Sequence, residues 1–232
     1  MALLPLILGL SYGPQTKKAG GSSTGSSAFE VAEDLRNKVL ERDKFECQYC
    51  GFVSRKYQVV RLKKSGGNPE KEGDLATACI FCDQCFALDH VATMKSGMLI
   101  WLPEIDQAML HHIARAIYVG RIAQGPVADA ARRAHEILTG RREACRERIR
   151  TDDPAILSMV MSDYLDPRAV GQVPHKLDGV RLFPLDRRIV SEGDLEFNQF
   201  PQILAYWRSK DGPFGAFQPA QWLEEFKSLK AA

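Results

Sequence analysis

"CIFCDQCF" at residues 79–86 and "ECQYCGF" at residues 46–52 together contain five of the six cysteines of this 232-residue chain. In each stretch two cysteines are separated by two residues, a spacing at which one tight turn supplies two thiolates to a zinc ion. The pairs Cys47–Cys50 and Cys79–Cys82 are 28 residues apart, which is typical of a four-thiolate site. The sequence therefore predicts one structural Zn²⁺ per chain, bound by these four cysteines. Gly51 favours this turn because glycine allows backbone N–H groups to point at the sulfurs.

Two cysteines remain outside this set. Cys85 lies three residues after Cys82, and Cys145 lies much further along the chain. We interpret Cys85 as a small buried side chain beside the site and Cys145 as core packing. If Cys79 and Cys85 were the pair instead, they would form a longer C-x5-C turn and leave Cys82 unused. Clustered cysteines in a chain of this length indicate a metal in a reducing compartment rather than a secreted disulfide scaffold.

Composition excludes few classes of protein. The chain is 45% hydrophobic and 26% charged, as in an ordinary globular protein, and its net charge of +2 is too small to indicate a nucleic-acid partner. The apolar run "LPLILGLS" at residues 4–11 lacks the basic flank and cleavage site of a signal peptide. It is also too short to span a bilayer. We interpret it as a strand of the fold and expect a soluble protein.

Hydrophobic periodicity predicts several helices and few strands. "LIWL" is predicted to form a strand over Met98–Leu102, and Pro103 opens a helix with an apolar face at Ile105, Met109, Ile113, Ala116 and Ile117. The other predictions are a Gly/Ser loop at 16–27, a helix within 28–43, a strand at Tyr57–Leu62, a turn and then a helix over 74–91, an Arg-rich helical region at 129–150 broken near Gly140, a helix capped by Asp153 and Pro154, an extended segment at 179–190, and short helices at 200–209 and 218–230.

The order of helix, cysteine pair, strand, loop, second cysteine pair and helix resembles the zinc-bearing HNH (ββα-metal) nuclease fold. The resemblance implies an α+β protein with an HNH-like zinc core and additional helices. The catalytic positions depart from that family's pattern: "VVRLK" has Arg61 where Asp-His is expected, Asp74 replaces an asparagine, and Asp83 replaces the closing histidine. Asp74 and Asp83 could still hold a metal, but no general base remains there.

We therefore predict a protein without catalytic residues. The pair Asp89–His90 comes after the second cysteine pair, on the wrong element for the HNH motif, and is interpreted as a surface or structural pair.

A second resemblance covers more of the chain. The stretches "ERDKFECQYCGFVSRKYQVV" (41–60), "DLATACIFCDQCF" (74–86) and "LIWLPEIDQAML" (99–110) resemble the DotN (IcmJ) family of the Dot/Icm type IVB secretion coupling complex. The resemblance implies a non-enzymatic adaptor with a structural zinc held by four cysteines. It further implies binding to the C-terminal extension of the coupling ATPase DotL, at the cytoplasmic face of the inner membrane, and recruitment of effectors for export. Membrane association is then expected only through partners, and no nucleic acid is expected.

On this basis we divide the chain into four parts: an N-terminal strand and mobile Gly/Ser loop (1–28), an HNH-like four-cysteine zinc core (29–102), a helical extension packed on the core (103–190), and a C-terminal helical tail (191–232). Candidate partner-binding residues are Trp101, Leu102, Ile105 and Met109, although apolar stripes of this kind also suit the protein's own core.

The alternative is a divergent HNH endonuclease or nucleic-acid-binding zinc protein. Residues 131–150 contain seven arginines and three glutamates, and arginine can pair phosphate in two-pronged fashion. The interspersed glutamates equally suit a solvated helix with ion pairs along its surface. A third possibility is a structural zinc protein with a different partner.

Overall fold

The computed structural model describes residues 3–10, 31–64, 66–164 and 177–231. In chain order the elements are α1 (Glu33–Arg42), β1 (Gln58–Leu62), a 3-10 turn (Glu72–Asp74), β2 (Leu75–Cys79), α2 (Ile80–Cys85), α3 (Leu88–Met94), β3 (Gly97–Trp101), α4 (Gln107–Arg121), α5 (Pro126–Gly140), α6 (Arg142–Ile149), α7 (Pro154–Tyr164), β4 (Val180–Pro184), β5 (Ile189–Glu192), β6 (Leu195–Asn198), α8 (Phe200–Arg208) and α9 (Pro219–Ala231). The predicted α+β class is confirmed. The predicted Gly/Ser loop at 16–27 lies outside the described residues.

The strands of the described residues pair as antiparallel two-stranded sheets: β1 with β2, β3 with β4, and β5 with β6. The register of the first hairpin places Gln58 opposite Cys79 and Leu62 opposite Leu75. The second sheet joins distant parts of the chain, because Gly97 lies opposite Pro184 and Trp101 opposite Val180. The β3–β4 sheet therefore holds the segment after residue 176 against the first half of the chain.

Strand β2 corrects the prediction of a turn followed by a helix over residues 74–91. All five residues of β2 are buried, and alanine and threonine in "LATAC" give only a weak strand pattern. Strand formation depends on pairing and burial more than on intrinsic preference, and here β1 supplies the pairing partner. The predicted helix is also divided into two short helices, α2 and α3.

The N-terminal segment lacks the predicted strand over residues 4–10, and residue 11 is not described. Its backbone is nevertheless bonded into the fold: Leu4 N–H donates to the Gln48 carbonyl (2.8 Å), and Gly9 N–H donates to the Cys85 carbonyl (2.8 Å). The acceptors lie in a turn and at a helix end rather than on a strand, so no ladder forms.

Helix α4 begins at Gln107, later than the predicted opening at Pro103. The Asp106 carboxylate accepts the Met109 N–H (2.7 Å) and so caps the helix at that point. The buried face is also rotated from the prediction, since the Met109 side chain is 52% exposed. The buried side chains of α4 include three polar or charged ones, Gln107, His111 and Arg115, alongside Leu110, Ala114, Ile117, Tyr118 and Val119.

The main hydrophobic core lies between the cysteine turns, α4 and α8. Phe81 of α2 packs edge-on against Trp207 of α8, with ring centroids 5.5 Å apart, and Phe200 packs edge-on against Tyr118 of α4 at 5.0 Å. The cysteines are thus enclosed by aromatic side chains contributed by the C-terminal part of the chain.

The remaining helix predictions are confirmed. The Arg-rich region forms α5 and α6 with a break after Gly140, and Asp153 caps α7 by accepting the Ala155 N–H (2.8 Å). The C-terminal helices α8 and α9 are present, and the α9 side chains Leu223 and Phe226 are exposed. Among the described residues, no helix has the length and apolar character needed to cross a bilayer.

Candidate metal centre

The first cysteine pair lies in a tight turn that follows α1. Gly51 N–H donates to the Cys47 carbonyl (2.8 Å), and Cys47 N–H donates to the Phe52 carbonyl (3.0 Å), which folds the turn back on itself. Gly51 has a φ of +74°, in the left-handed region that glycine adopts without steric cost. This geometry turns Cys47 and Cys50 toward the same point, as the spacing predicted.

The second pair is positioned by the end of the β1–β2 hairpin. Cys79 is the last residue of β2, and Cys82 lies in the first turn of α2. The Cys79 Sγ accepts the Cys82 backbone N–H (3.4 Å). A strand that ends directly in a helix therefore presents both thiols on one side.

The four sulfurs come together in one buried cluster. All four side chains are buried, and the Sγ atoms of Cys47, Cys50, Cys79 and Cys82 lie within 4.8 Å of one another. The Cys50 and Cys79 sulfurs are 3.8 Å apart, which equals the edge of about 3.8 Å expected for a tetrahedron with Zn–S bonds of about 2.3 Å. All six cysteines of the chain are free thiols. The cluster could therefore hold a metal ion such as zinc.

A buried guanidinium supports a negatively charged cluster. Arg115 of α4 is 1% exposed, and its Nη2 lies 2.7 Å from the Cys79 Sγ and 3.7 Å from the Cys50 Sγ. Its guanidinium carbon stands 4.0 Å from the centroid of the Phe52 ring. Burying a cation is costly unless a counter-charge lies close by, and the nearby thiolates supply that charge. The donor set and its surroundings thus fit a dication held by thiolates.

The thiol pKa values follow from burial and this charge. Burial alone would raise the pKa of Cys79, but hydrogen bonds from neighbouring thiols and the charge on Arg115 outweigh it and lower that pKa. Burial raises the pKa of Cys47 and Cys82. Without a metal the cluster therefore favours one thiolate at Cys79, and loading a dication displaces protons from the other thiols.

A histidine on α4 contacts the cluster from the side of α2. His111 is fully buried, with Nδ1 3.3 Å from the Cys82 Sγ and Nε2 3.8 Å from the Cys85 Sγ. Burial lowers the pKa of His111 to about 3, so the imidazole is neutral at physiological pH. Cys85 lies beside His111 and outside the group of four sulfurs, and burial raises the pKa of its thiol.

The aspartates interpreted from the sequence as departures from the HNH pattern form structural contacts. Asp83 is 1% exposed and accepts a hydrogen bond from Arg61 Nη1 (3.0 Å), while the Arg61 guanidinium lies 3.8 Å from the Phe86 ring centroid. Asp74 accepts the Asn68 N–H (2.9 Å) within the loop before β2. Within the part of the chain that the structure describes, the four cysteines are the one group of three or more His, Cys, Asp or Glu side chains placed to hold a metal.

Asp89 and His90 lie on the surface of α3. The His90 Nε2 is 3.6 Å from Asp89 Oδ2, and both side chains are more than one third exposed. The exposure of both side chains agrees with the interpretation of Asp89–His90 as a surface pair.

The candidate partner-binding residues differ in their burial. Leu102 is buried in the main core, and Ile105 packs against the same core. Trp101 packs on a second cluster that includes Leu99 and Val180. Met109 is the candidate with a largely exposed side chain.

The arginines of α5 and α6 are mostly engaged in ion pairs. Arg132 pairs with Asp129, Arg141 with Glu104, Arg142 with Asp152, and Arg146 with Glu143 and Asp152. Arg148 lies 5.3 Å from the Trp101 ring centroid. The positive charge on this surface is therefore largely balanced, which weakens the nucleic-acid alternative.

Sequence reasoning missed Gln107, His111 and Arg115. These polar residues recur every four positions along α4, so they share one face of the helix. A polar stripe on an otherwise apolar helix was the signal that could have revealed them.

Comparison with known proteins gives one informative similarity. The chain is 33% identical over 145 residues to the type 4 apparatus protein DotN of Legionella pneumophila, a match that spans 59% of this chain and 67% of that protein. No family model matches the chain.

Proposed function

The chain belongs to the DotN family of type IV secretion apparatus proteins, and from this membership we propose that it is a non-enzymatic adaptor subunit of a type IVB coupling complex. In this role it binds the C-terminal extension of a DotL-like coupling ATPase, together with other subunits of the complex, and helps to recruit effectors for export. The protein would act in the cytoplasm at the inner face of the inner membrane, held there by its partners. The observation that carries the proposal is the 33% identity to DotN.

We propose that the cluster binds one structural Zn²⁺ through Cys47, Cys50, Cys79 and Cys82. Four protein ligands complete a tetrahedral zinc site, so that no position is left for a water or a substrate. The burial of all four sulfurs supports a role in holding the two cysteine turns together rather than a role in chemistry.

We further propose that residues 29–102 form an HNH-like core without nuclease activity. The succession of cysteine turn, β1–β2 hairpin and α2 supports this relationship. The Arg61–Asp83 contact supports a structural use of positions that carry catalysis in HNH enzymes. The division of the chain at residues 28, 102 and 190 stays a prediction.

The partner surface that we propose includes Trp101, Leu102, Ile105 and Met109, with Met109 as the side chain that a partner can reach directly. Leu102 and Ile105 support the base of this surface from the core. An exposed apolar side chain on a rigid helix suits a helical or extended apolar segment of a partner.

The test is co-purification of the tagged, zinc-loaded chain with the C-terminal extension of the coupling ATPase. We expect the two to elute together in size-exclusion chromatography, and we expect Met109→Asp to weaken the capture. Ile137→Asp on α5 is the matched control, because Ile137 is also exposed (66%) but lies outside the proposed surface. If the folded chain fails to retain the extension, the adaptor proposal is wrong.

A further inference from the structure

We propose that α4 and β4 orient hydrogen-bond donors toward the bound thiolates, with His111 as the positioning residue for Cys82 and Arg115 as the charge partner of Cys79. This inference rests on the proposed four-cysteine zinc site and assigns to Gln107, His111 and Arg115 a role in retaining the metal.

The orientation of the Gln107 amide is fixed by one backbone residue of β4. Gln107 Oε1 accepts the Leu182 N–H (2.9 Å), and Gln107 Nε2 donates to the Leu182 carbonyl (2.7 Å). Reversing the amide would place its oxygen against a carbonyl and its NH₂ group against an N–H. The position of the Gln107 NH₂ group is therefore determined by the backbone.

This amide in turn determines the tautomer of His111. The Gln107 Nε2 lies 2.8 Å from the His111 Nε2, and because the amide nitrogen is a donor, the imidazole Nε2 must accept. A neutral imidazole then carries its proton on Nδ1. The His111 Nδ1 atom lies 3.3 Å from the Cys82 Sγ, so its N–H donates to the sulfur.

Arg115 directs its charge at the cluster and at little else. Its Nη2 is within reach of the Cys79 and Cys50 sulfurs, whereas its Nε and Nη1 are buried without a hydrogen-bond partner among the described residues. Four thiolates around a dication retain a net charge of −2, and the buried guanidinium offsets part of it. Donors of this kind around metal ligands typically change metal affinity by about 10- to 100-fold.

The tautomer is measured directly on the intact zinc-loaded protein. Long-range ¹H–¹⁵N correlation spectra distinguish a histidine protonated at Nδ1 from one protonated at Nε2. We expect the Nδ1–H form at His111, whereas an Nε2–H form or an imidazolium would overturn the inference.

The contribution to metal retention is measured as the rate of zinc transfer to a chromogenic chelator. We expect His111→Leu to release zinc about 10- to 100-fold faster than the unsubstituted chain. His111→Asn, which can place an amide N–H near the position of Nδ1, should restore most of the retention. Gln107→Leu should also release zinc faster than the unsubstituted chain, because it removes the amide donor that keeps Nε2 unprotonated. Ile137→Leu, at an exposed position on α5, is the control with unchanged release.

The outcomes separate this inference from the proposed site. A chain that contains zinc but releases it equally fast with His111→Leu would refute the positioning role and leave the four-cysteine site intact. A chain that is isolated without zinc and does not take it up would overturn both. If His111→Leu does not fold by circular dichroism, the tautomer measurement on the unsubstituted protein decides.

Discussion

Asp83→Asn is expected to lower the melting temperature by about 6–20 °C without releasing zinc. The Asp83 carboxylate is buried and paired with Arg61 at 3.0 Å. Arg188 is also buried, and burial lowers its pKa, an effect that the negative charge on Asp83 opposes. Removing one member of a buried ion pair costs about 3–5 kcal/mol, and each kcal/mol corresponds to about 2–4 °C for a chain of this size.

The assay is differential scanning fluorimetry combined with metal analysis of the same samples. Asp89→Asn is the matched control, since its pairing with His90 is partly exposed and such pairs contribute at most about 1 kcal/mol. A melting temperature for Asp83→Asn within about 2 °C of the unsubstituted chain would show that the carboxylate is not a structural counter-charge. Loss of zinc on Asp83→Asn at an unchanged melting temperature would instead place Asp83 in the metal site.

Three further predictions concern the cysteines, the core and the acidic limit of stability. Cys82→Ser should abolish zinc binding and lower the free energy of unfolding, because the metal stabilises the fold. Cys85→Ser should retain one zinc per chain, as measured by mass-spectrometric metal analysis. Loss of zinc in Cys85→Ser together with its retention in Cys82→Ser would show that Cys85 is the ligand in place of Cys82. Trp207→Ala should lower the free energy of unfolding by about 3–5 kcal/mol in urea titration, because the ring is buried against Phe81 and Phe52; a loss below about 1 kcal/mol would contradict this packing. Burial opposes ionisation of Asp152, but hydrogen bonds from Arg146 and Arg142 outweigh it and lower its pKa. Asp152→Asn should therefore be less stable than the unsubstituted chain at pH 7. This difference in stability should disappear as the pH falls from about 3.9 through the folded-state pKa of Asp152. A stability difference that persists unchanged at pH 2 would refute that assignment.

The cysteine cluster could be predicted because its determinants are local. A C-x2-C pair followed by Gly51 specifies a turn from a few adjacent residues. The site then requires only that the fold bring the two cysteine pairs together. Strand β2 could not be predicted in the same way, because its stability comes from pairing with β1 and from burial of every side chain rather than from the residues of "LATAC".

The surroundings of the cluster depend on contacts between distant residues. Arg61 and Asp83 were each identified as departures from the HNH pattern, but only the hairpin register brings the two side chains together. His111 and Arg115 lie on a helix whose buried face was predicted from apolar residues alone. The structure rotates that face so that His111 points at Cys82 and Arg115 points at Cys79, which lie 29 and 36 residues earlier in the chain.

The backbone contact between Gln107 and Leu182 has a consequence for biosynthesis. All four cysteines leave the ribosome well before Leu182, which follows Cys82 by 100 residues. A nascent chain can therefore bind zinc early, but the orientation of the Gln107 amide is not fixed until β4 has been synthesised and has paired with β3. Metal retention should then increase once β4 has been synthesised, so that a chain that stops before β4 exchanges its zinc readily and a chain that includes β4 keeps it.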